Sequence, residues 1–295
     1  YDVRGPVLEE AERMEDRGLQ ILKLNIGNPA PFGFTAPEEV IQDMRDNIVN
    51  SQGYSDSRGI FAARKAIMQY AQLKNIPNVT MDGIYTGNGA SELIQLSLHA
   101  LLNSGDEVLV PSPDYPLWTA CVNLAGGKAV HYICDEQSDW YPDLADIESK
   151  ITSRTRAMVI INPNNPTGVL YDTQVLYDML QVARVHNLIV FSDEIYDRLV
   201  MDGLEHVSTA SLAPDLIVVT MNGLSKSHSL CGYRCGWMVI SGPRQQRIEY
   251  RGGIVQLTSM RLCANALAQL VIPAALADME TPHAMVRPGG RIYEQ

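Results

Sequence analysis

Short apolar runs alternate along this chain with stretches in which apolar residues recur at helical spacing. The run at 157–161 is almost entirely apolar, which indicates a strand covered on both faces. Strands are predicted at 83–87, 107–110, 129–134, 157–161, 188–191, 216–220 and 237–240, and helices at 90–102, from 117 onward and at 175–185. The alternation predicts an α/β fold in three layers, αβα, with helices on both faces of a mostly parallel sheet.

Two prolines, Pro37 and Pro243, predict helix starts, because proline suits a first turn whose backbone N–H groups have no partner. Ligands of such sheets bind beyond the carboxyl ends of the strands. We therefore expect the residues that carry function to lie just after the predicted strands.

Composition narrows the class of protein. The 295 residues include 23 Lys and Arg against 34 Asp and Glu, a net charge of −11 that disfavours a nucleic-acid partner. No apolar run approaches the roughly 18 residues of a membrane span, and residues 1–18 lack the apolar core of a signal peptide. The five cysteines form no C-x-x-C pair and the histidines no metal-ligand pattern, so we expect free thiols, no metal and a cytoplasmic location.

Two motifs follow the first predicted strands. Gly87-Asn-Gly-Ala-Ser91 is a glycine-rich turn into a helix, where Gly89, Ala90 and Ser91 could present backbone N–H groups to a phosphate. Tyr115 lies between prolines in Pro113-Asp-Tyr-Pro-Leu-Trp118 and could stack on a planar ligand. Taken alone, a helix cap and a core turn explain these motifs equally well.

Three further motifs follow the later strands. Asn165 lies in Asn162-Pro-Asn-Asn-Pro-Thr-Gly168, and Asp193 and Tyr196 lie in Ser192-Asp-Glu-Ile-Tyr196. A carboxylate such as Asp193 is costly in a closed crevice unless it meets a cation, although it could also be a helix cap. Lys226 follows Ser225, with Arg234 eight residues later, and burial near a cation would lower its pKa and make it a Schiff-base nucleophile. A lone lysine is more often a surface charge.

Together these motifs require one planar, phosphorylated ligand that carries an aldehyde and a basic ring nitrogen. The helix terminus with Ser91, Ser225 and Arg234 would bind the phosphate, and Tyr115 would stack on the ring. Asp193 would pair with the ring nitrogen, Asn165 and Tyr196 would bind a phenolic oxygen, and Lys226 would attack the aldehyde. Pyridoxal 5'-phosphate meets all these requirements.

The motifs resemble those of the class I aminotransferases, the fold-type I pyridoxal-phosphate enzymes. Asn165-Pro-Thr-Gly168, Asp193-x-x-Tyr196, and Ser225-Lys226 with Gly232-Tyr-Arg-x-Gly236 carry the resemblance in family order. It implies a seven-stranded, mostly parallel sheet in which 237–240 is antiparallel. It also implies a homodimer in which Tyr54 reaches the phosphate of the neighbouring subunit.

Within the family the chain resembles bacterial glutamate–pyruvate (alanine) aminotransferases, through residues 24–34, 113–118 and 260–265. This likeness implies that Gly27 and Asn165 touch the amino-acid substrate. The expected reaction moves an amino group between L-alanine and 2-oxoglutarate. Alternatives are an aromatic or kynurenine aminotransferase, a C–S β-lyase, a regulatory pyridoxal-phosphate module, and a catalytically dead fragment.

The resemblance divides the chain into an N-terminal helix and arm (1–35), a pyridoxal-phosphate domain (36–281) and the start of a small C-terminal domain (282–295). Family members run to about 400 residues, and their C-terminal domain supplies an arginine for the substrate carboxylate. No residue here matches that arginine. We therefore expect the small domain to be missing and the chain to be a fragment of a longer protein.

Overall fold

The computed structural model describes residues 5–23 and 26–294. Leu24 and Asn25 of the predicted substrate segment, Tyr1–Arg4 of the N-terminal arm and Gln295 lie outside the described residues. The strands are β1 (Ile84–Asn88), β2 (Glu107–Ser112), β3 (Lys128–Asp135), β4 (Tyr141–Pro142), β5 (Thr155–Ile161), β6 (Ile189–Asp193), β7 (Val218–Gly223) and β8 (Cys235–Ser241).

The α-helices surround this sheet. They are α1 (Gly5–Asp16), α2 (Glu38–Asn47), α3 (Phe61–Leu73), α4 (Ala90–Leu101), α5 (Leu117–Leu124), α6 (Leu144–Lys150), α7 (Thr173–Val185), α8 (Leu224–Ser227), α9 (Ile248–Met260), α10 (Ala266–Leu270), α11 (Ile272–Ala277) and α12 (Glu280–Val286). None of the helices within the described ranges is long and apolar enough to cross a membrane.

One sheet in the order β1-β8-β7-β6-β5-β2-β3-β4 forms the middle layer. The neighbouring strands from β7 through β6, β5 and β2 to β3 are parallel, while β8 runs antiparallel to both β1 and β7. The predicted mostly parallel sheet and its antiparallel strand at 237–240 are therefore confirmed. The sheet has eight strands rather than seven because the two-residue β4 adds to its far edge.

Apolar side chains on both faces of the sheet build two cores, which confirms the three-layer αβα fold. Along β5, Met158 and Ile160 pack into one core, while Ala157, Val159 and Ile161 pack into the other. The first core includes residues of α3, α7 and α11, and the second includes residues of α4, α5 and α9. Burial on both faces explains why the sequence of β5 is apolar without alternation.

One predicted helix start is confirmed and one is wrong. The helix α2 begins at Glu38, directly after Pro37. By contrast, α9 begins only at Ile248, because turns occupy residues 244–247. Gly242, with φ of +104°, turns the chain against Leu216, and the buried Arg247 guanidinium donates to the Ile240 carbonyl at 2.8 Å. These contacts fix a turn where the proline alone predicts a helix.

Candidate active site

The carboxyl ends of three parallel strands lie side by side and bring the predicted site residues together. Ile161 at the end of β5 pairs with Asp193 of β6, and Asp193 pairs with Met221 of β7. The segment with Asn165 leaves β5 at this level, and α8 with Lys226 follows β7. The parallel register therefore places an amide, a carboxylate and an amine around one crevice.

The amine of Lys226 lies at the centre of this crevice. Its Nζ donates to the Gly27 carbonyl at 3.0 Å and lies 5.9 Å from the centre of the Tyr196 ring. A Cβ at Gly27 would come within 3.1 Å of Nζ, so a glycine permits this approach. Burial first, and then the charge of Arg234, lower the pKa of Lys226. The neutral, nucleophilic amine is thereby favoured.

The carboxylate of Asp193 is buried and makes no ion pair within the described part of the chain. Its oxygens accept hydrogen bonds from Trp118 Nε1 at 3.1 Å and from the Ile195 backbone N–H at 3.3 Å. Burial raises the pKa of Asp193 to about 6, although the Trp118 hydrogen bond opposes this rise. A carboxylate in this state is ready to pair with a cationic ligand atom.

Trp118 is the site residue whose role sequence reasoning missed. Its side chain is fully buried and packs against Phe191 with ring centroids 5.5 Å apart. Its indole N–H donates the hydrogen bond to the Asp193 carboxylate. The sequence offers one signal, an indole just past a strand end, but that signal does not show the direction of the ring.

The N-terminus of α4 and Arg234 lie together and form a cradle that could receive an anion. Gly89 has φ of +80°, and no side chain caps α4. A Cβ at Gly89 would lie 2.4 Å from Arg234 Nη2, and one at Gly236 would lie 2.3 Å from the Ala90 backbone nitrogen. Backbone donors and a guanidinium thus converge where glycines leave room. Arg234 Nη1 donates to the Cys231 carbonyl at 2.8 Å, which anchors the side chain.

Two tyrosines flank Asp193. Burial first, and then the charge of Asp193, raise the pKa values of both Tyr115 and Tyr196. Ser91 lies close enough to Tyr115 to oppose the rise of its pKa, which places that ring near the first turn of α4. Ser225 is half-buried and directly precedes Lys226. The half-buried Asn165 follows Asn162 and Asn164, which are both buried.

Tyr54 does not join this cluster. It lies before α3, and its side chain is 85% exposed. Contacts join Lys226 to Gly27 and Tyr196, and Gly89 to Arg234, while Asp193 acts on Tyr115 and Tyr196. The chemistry of these groups fits pyridoxal phosphate, because a buried carboxylate has no cationic partner in the described part of the chain, an amine has a lowered pKa and a guanidinium beside a helix terminus would receive a phosphate.

Known proteins with similar sequences cover the whole chain. The glutamate-pyruvate aminotransferase AlaA of Escherichia coli strain K12 is 57% identical over 295 residues, which are 100% of this chain and 73% of that protein. The alanine aminotransferase of Mycobacterium tuberculosis strain H37Rv is 51% identical over 296 residues and is matched over 69% of its length.

Solved structures of aminotransferases are also similar to the structure of this chain. A crystal structure of an aminotransferase from Escherichia coli superposes with a TM-score of 0.97 at 57% identity, covering 100% of this chain and 73% of that chain. An alanine aminotransferase from Pyrococcus furiosus superposes with a TM-score of 0.91 at 41% identity, covering 96% of this chain and 72% of that chain.

The family model described as aminotransferase class I and II matches residues 20–284. This range contains each candidate side chain of the crevice, from Gly27 to Arg234, together with Tyr54. The chain therefore belongs to the class I and II aminotransferases.

Proposed function

We propose that this chain transfers the amino group between L-alanine and 2-oxoglutarate, with pyruvate and L-glutamate as products, and that it uses pyridoxal 5'-phosphate. The observation that carries the proposal is the amine of Lys226, whose pKa is lowered and which lies 5.9 Å from the centre of the Tyr196 ring, a ring that also senses the charge of the buried Asp193. The names of the Escherichia coli and Mycobacterium tuberculosis relatives support alanine and glutamate as the amino acids.

The cofactor, when bound, supplies an aldehyde for the amino group and a protonated ring that accepts the electrons released at the substrate Cα. Arg234, Ser91, Ser225 and the backbone of Gly89 and Ala90 would hold its phosphate. Tyr115 would cover the ring, and Asn165 and Tyr196 would bind the ring oxygen. Asp193 would keep the ring nitrogen protonated, because an ion pair relieves the cost of its buried charge.

Lys226 is the group that moves protons in this proposal. Its lowered pKa raises the fraction of neutral amine at neutral pH. This amine would take the proton from the substrate Cα and deliver it to the cofactor carbon that holds the amino group. Gly27 would present its backbone to the substrate carboxylate, and Asn165 would bind both substrate and cofactor. Before substrate binds, the Lys226 amine donates a hydrogen bond to the Gly27 carbonyl at 3.0 Å.

The first prediction concerns the half-reaction with alanine. The purified chain, loaded with pyridoxal phosphate and mixed with L-alanine in the absence of any 2-oxo acid, is expected to release one pyruvate per chain and to form pyridoxamine phosphate. Chromatography of both products checks this result, and L-cystathionine serves as the alternative substrate. Pyruvate formed continuously from cystathionine, with none from alanine, would instead support β-elimination and overturn the proposed reaction.

We also propose that the chain works as a homodimer in which Tyr54 completes the phosphate site of the neighbouring subunit. Tyr54 is exposed, and so are three apolar residues near it in the sequence, namely Ile48 at 55%, Val49 at 69% and Phe61 at 68%. Exposed apolar surface of this kind suits a subunit interface. The five free thiols suit a reducing cytoplasm, the location we propose.

Mixing two inactive variants tests the shared site. Lys226→Ala and Tyr54→Ala chains, unfolded together and refolded at equal concentration, are expected to regain activity, because each hybrid dimer has one site with both native residues. Half of the dimers formed at random are hybrids, so about one quarter of the wild-type activity is expected. Each variant refolded alone is the control. A mixture no more active than the two controls would show that Tyr54 serves its own subunit.

A further inference from the structure

A buried cluster of charged and polar side chains lies beside the segments that carry Tyr196 and Asn165. No predicted motif contains the whole cluster. Its members, called the Lys74 cluster below, are Lys74, Asp197, Glu194, His206, Tyr70 and Asn222. Lys74 directly follows α3, and its side chain is 15% exposed, whereas the side chains of Asp197 and Glu194 are at most 1% exposed. The cluster therefore brings an ammonium from a helix layer to the strand ends.

One branch of the cluster joins the Tyr196 segment to β7. Asp197 Oδ2 accepts hydrogen bonds from the Lys74 ammonium, from Tyr70 Oη at 2.5 Å and from Asn222 Nδ2 at 2.8 Å. Asp197 directly follows Tyr196, and Asn222 lies four residues before Lys226. This branch therefore fixes the distance between the Tyr196 ring and the Lys226 amine.

The other branch joins the same ammonium to the Asn165 segment. Lys74 Nζ lies 3.0 Å from His206 Nδ1, and an ammonium only donates, so Nδ1 accepts and Nε2 carries the proton. His206 Nε2 then donates to the Asn162 carbonyl at 3.1 Å, three residues before Asn165. Burial first, and then the charge of Lys74, lower the pKa of His206, which agrees with a neutral ring.

Lys74 and Asp197 stabilise each other's charged forms. Burial opposes the charged form of Lys74, but attraction to Asp197 and Glu194 outweighs it and raises the pKa of Lys74. Burial likewise opposes the ionised form of Asp197, but the charge of Lys74 and the hydrogen bonds from Lys74 and Tyr70 hold the pKa of Asp197 below the usual range. Buried ion pairs of this kind contribute little net stability compared with apolar packing. The contribution of the cluster must then lie in the positions that it fixes.

We propose that Lys74 is a positioning residue that fixes Asn165, Tyr196 and Lys226 relative to one another. The expected effect of Lys74 on the rate rests on the proposed transamination. The structural half of the proposal, that Lys74 fixes these three segments in place, does not depend on the reaction. A single ammonium donates to both branches, so its loss frees the His206 link to Asn162 and weakens the hold on Asp197, which Asn222 of β7 shares.

Hydrogen exchange of the cofactor-free chain tests the structural half. Lys74→Met, which keeps the length of the side chain without its charge, is expected to raise exchange about tenfold in segments 162–168, 193–199 and 222–227. Lys74→Arg, which keeps the charge, is expected to restore protection. Lys65→Met is the matched control, because Lys65 lies exposed on the same helix. Faster exchange confined to the end of α3, or unchanged exchange, would overturn the proposal.

A second variant tests one branch alone and keeps the proposal testable if the Lys74→Met chain fails to fold. His206→Leu interrupts only the connection to the Asn162 carbonyl, so faster exchange is expected in 162–168 and not in 193–199. An equal rise in both segments would show general loosening and overturn the two-branch arrangement.

Kinetics of the loaded enzyme test the effect on the reaction. Lys74→Met is expected to lower kcat about tenfold while the KM for L-alanine stays within about twofold, because misplaced groups slow the chemical step more than they weaken substrate binding. Lys74→Arg is expected to recover most of kcat. A kcat unchanged in Lys74→Met would overturn the positioning role. A wild-type chain without transamination would overturn the proposed function, and the exchange result would still decide the structural half.

Discussion

Replacing Lys226 with alanine is expected to lower the rate of transamination at least about 10⁴-fold, because the amine both attacks the cofactor and moves the proton at the substrate Cα. The chain should still fold. Within the described ranges the amine makes one hydrogen bond, to the Gly27 carbonyl, and its lowered pKa agrees with surroundings that disfavour its charge. Loss of one such bond changes the free energy of unfolding by about 1 kcal/mol.

Three measurements on the purified variant decide this prediction. Steady-state rates with L-alanine and 2-oxoglutarate give the loss of activity, urea unfolding gives the stability, and chemical reduction with borohydride followed by peptide mapping shows whether the cofactor still attaches to the chain. Lys65→Ala is the control, since Lys65 is exposed on α3. A Lys226→Ala chain with ordinary activity would end the assignment of Lys226.

Replacing Asp193 with asparagine is expected to have opposite effects on activity and on stability. The amide cannot carry the negative charge that would hold the cofactor ring nitrogen protonated, so kcat should fall about 10²–10³-fold. The cofactor-free chain, however, should become more stable at pH 8. Burial raises the pKa of Asp193 to about 6 from the model-compound value of 3.8, so the ionised carboxylate of the folded chain costs about 3 kcal/mol.

The sign of the pH dependence follows from proton binding. Between pH 4 and pH 6 the unfolded chain has lost the Asp193 proton while the folded chain still holds it, so the contribution of Asp193 to stability falls as the pH rises through this window. Asparagine keeps the acceptor for Trp118 but gives up one other hydrogen bond, a loss of about 1 kcal/mol. The net gain at pH 8 is then about 2 kcal/mol, and it should disappear at pH 4.

Urea unfolding of the cofactor-free wild type and Asp193→Asn at pH 4 and pH 8 measures this difference. Asp46→Asn, on the exposed side of α2, is the control for loss of a negative charge. A variant no more stable than the wild type at pH 8 would mean that burial of the ionised Asp193 carboxylate does not destabilise the folded chain. If cofactor is then added, the wild type should gain more stability than the variant, since its carboxylate finds a cation.

The sequence predicts those parts of the fold whose signal is local and repeated. The apolar run of β5 and the helical spacing of α4 extend over enough residues to carry a period, so their positions agree with the structure within two residues. The strand β4 has two residues and therefore no period. The helix start predicted at Pro243 is wrong because residues 244–247 form a turn. Arg247 of this turn contacts Ile240 and also Thr80, which is 167 positions away and is not visible in the local pattern.

The candidate site also contains residues that the sequence predicts and residues that it does not. Lys226, Asp193 and Asn165 are predictable because each follows a strand and belongs to a spaced motif. Lys74 is not predictable, because its partner Asp197 is 123 positions away and a lone lysine after a helix resembles a surface charge. The division at residues 35 and 281 into an arm, a large domain and the start of a small domain remains a prediction.

The glycines beside the cradle have a further consequence. Gly87, Gly236 and Gly223 lie in register across β1, β8 and β7, and a Cβ at any of them would come within 2.6 Å of a neighbouring atom. None of the three has a group that can bind or react. What they contribute is room, because a Cβ at Gly87 would strike Leu93 of α4 and a Cβ at Gly236 would strike the Ala90 backbone nitrogen. A search for reactive groups alone would overlook them, yet the close approach of α4 to the sheet depends on them.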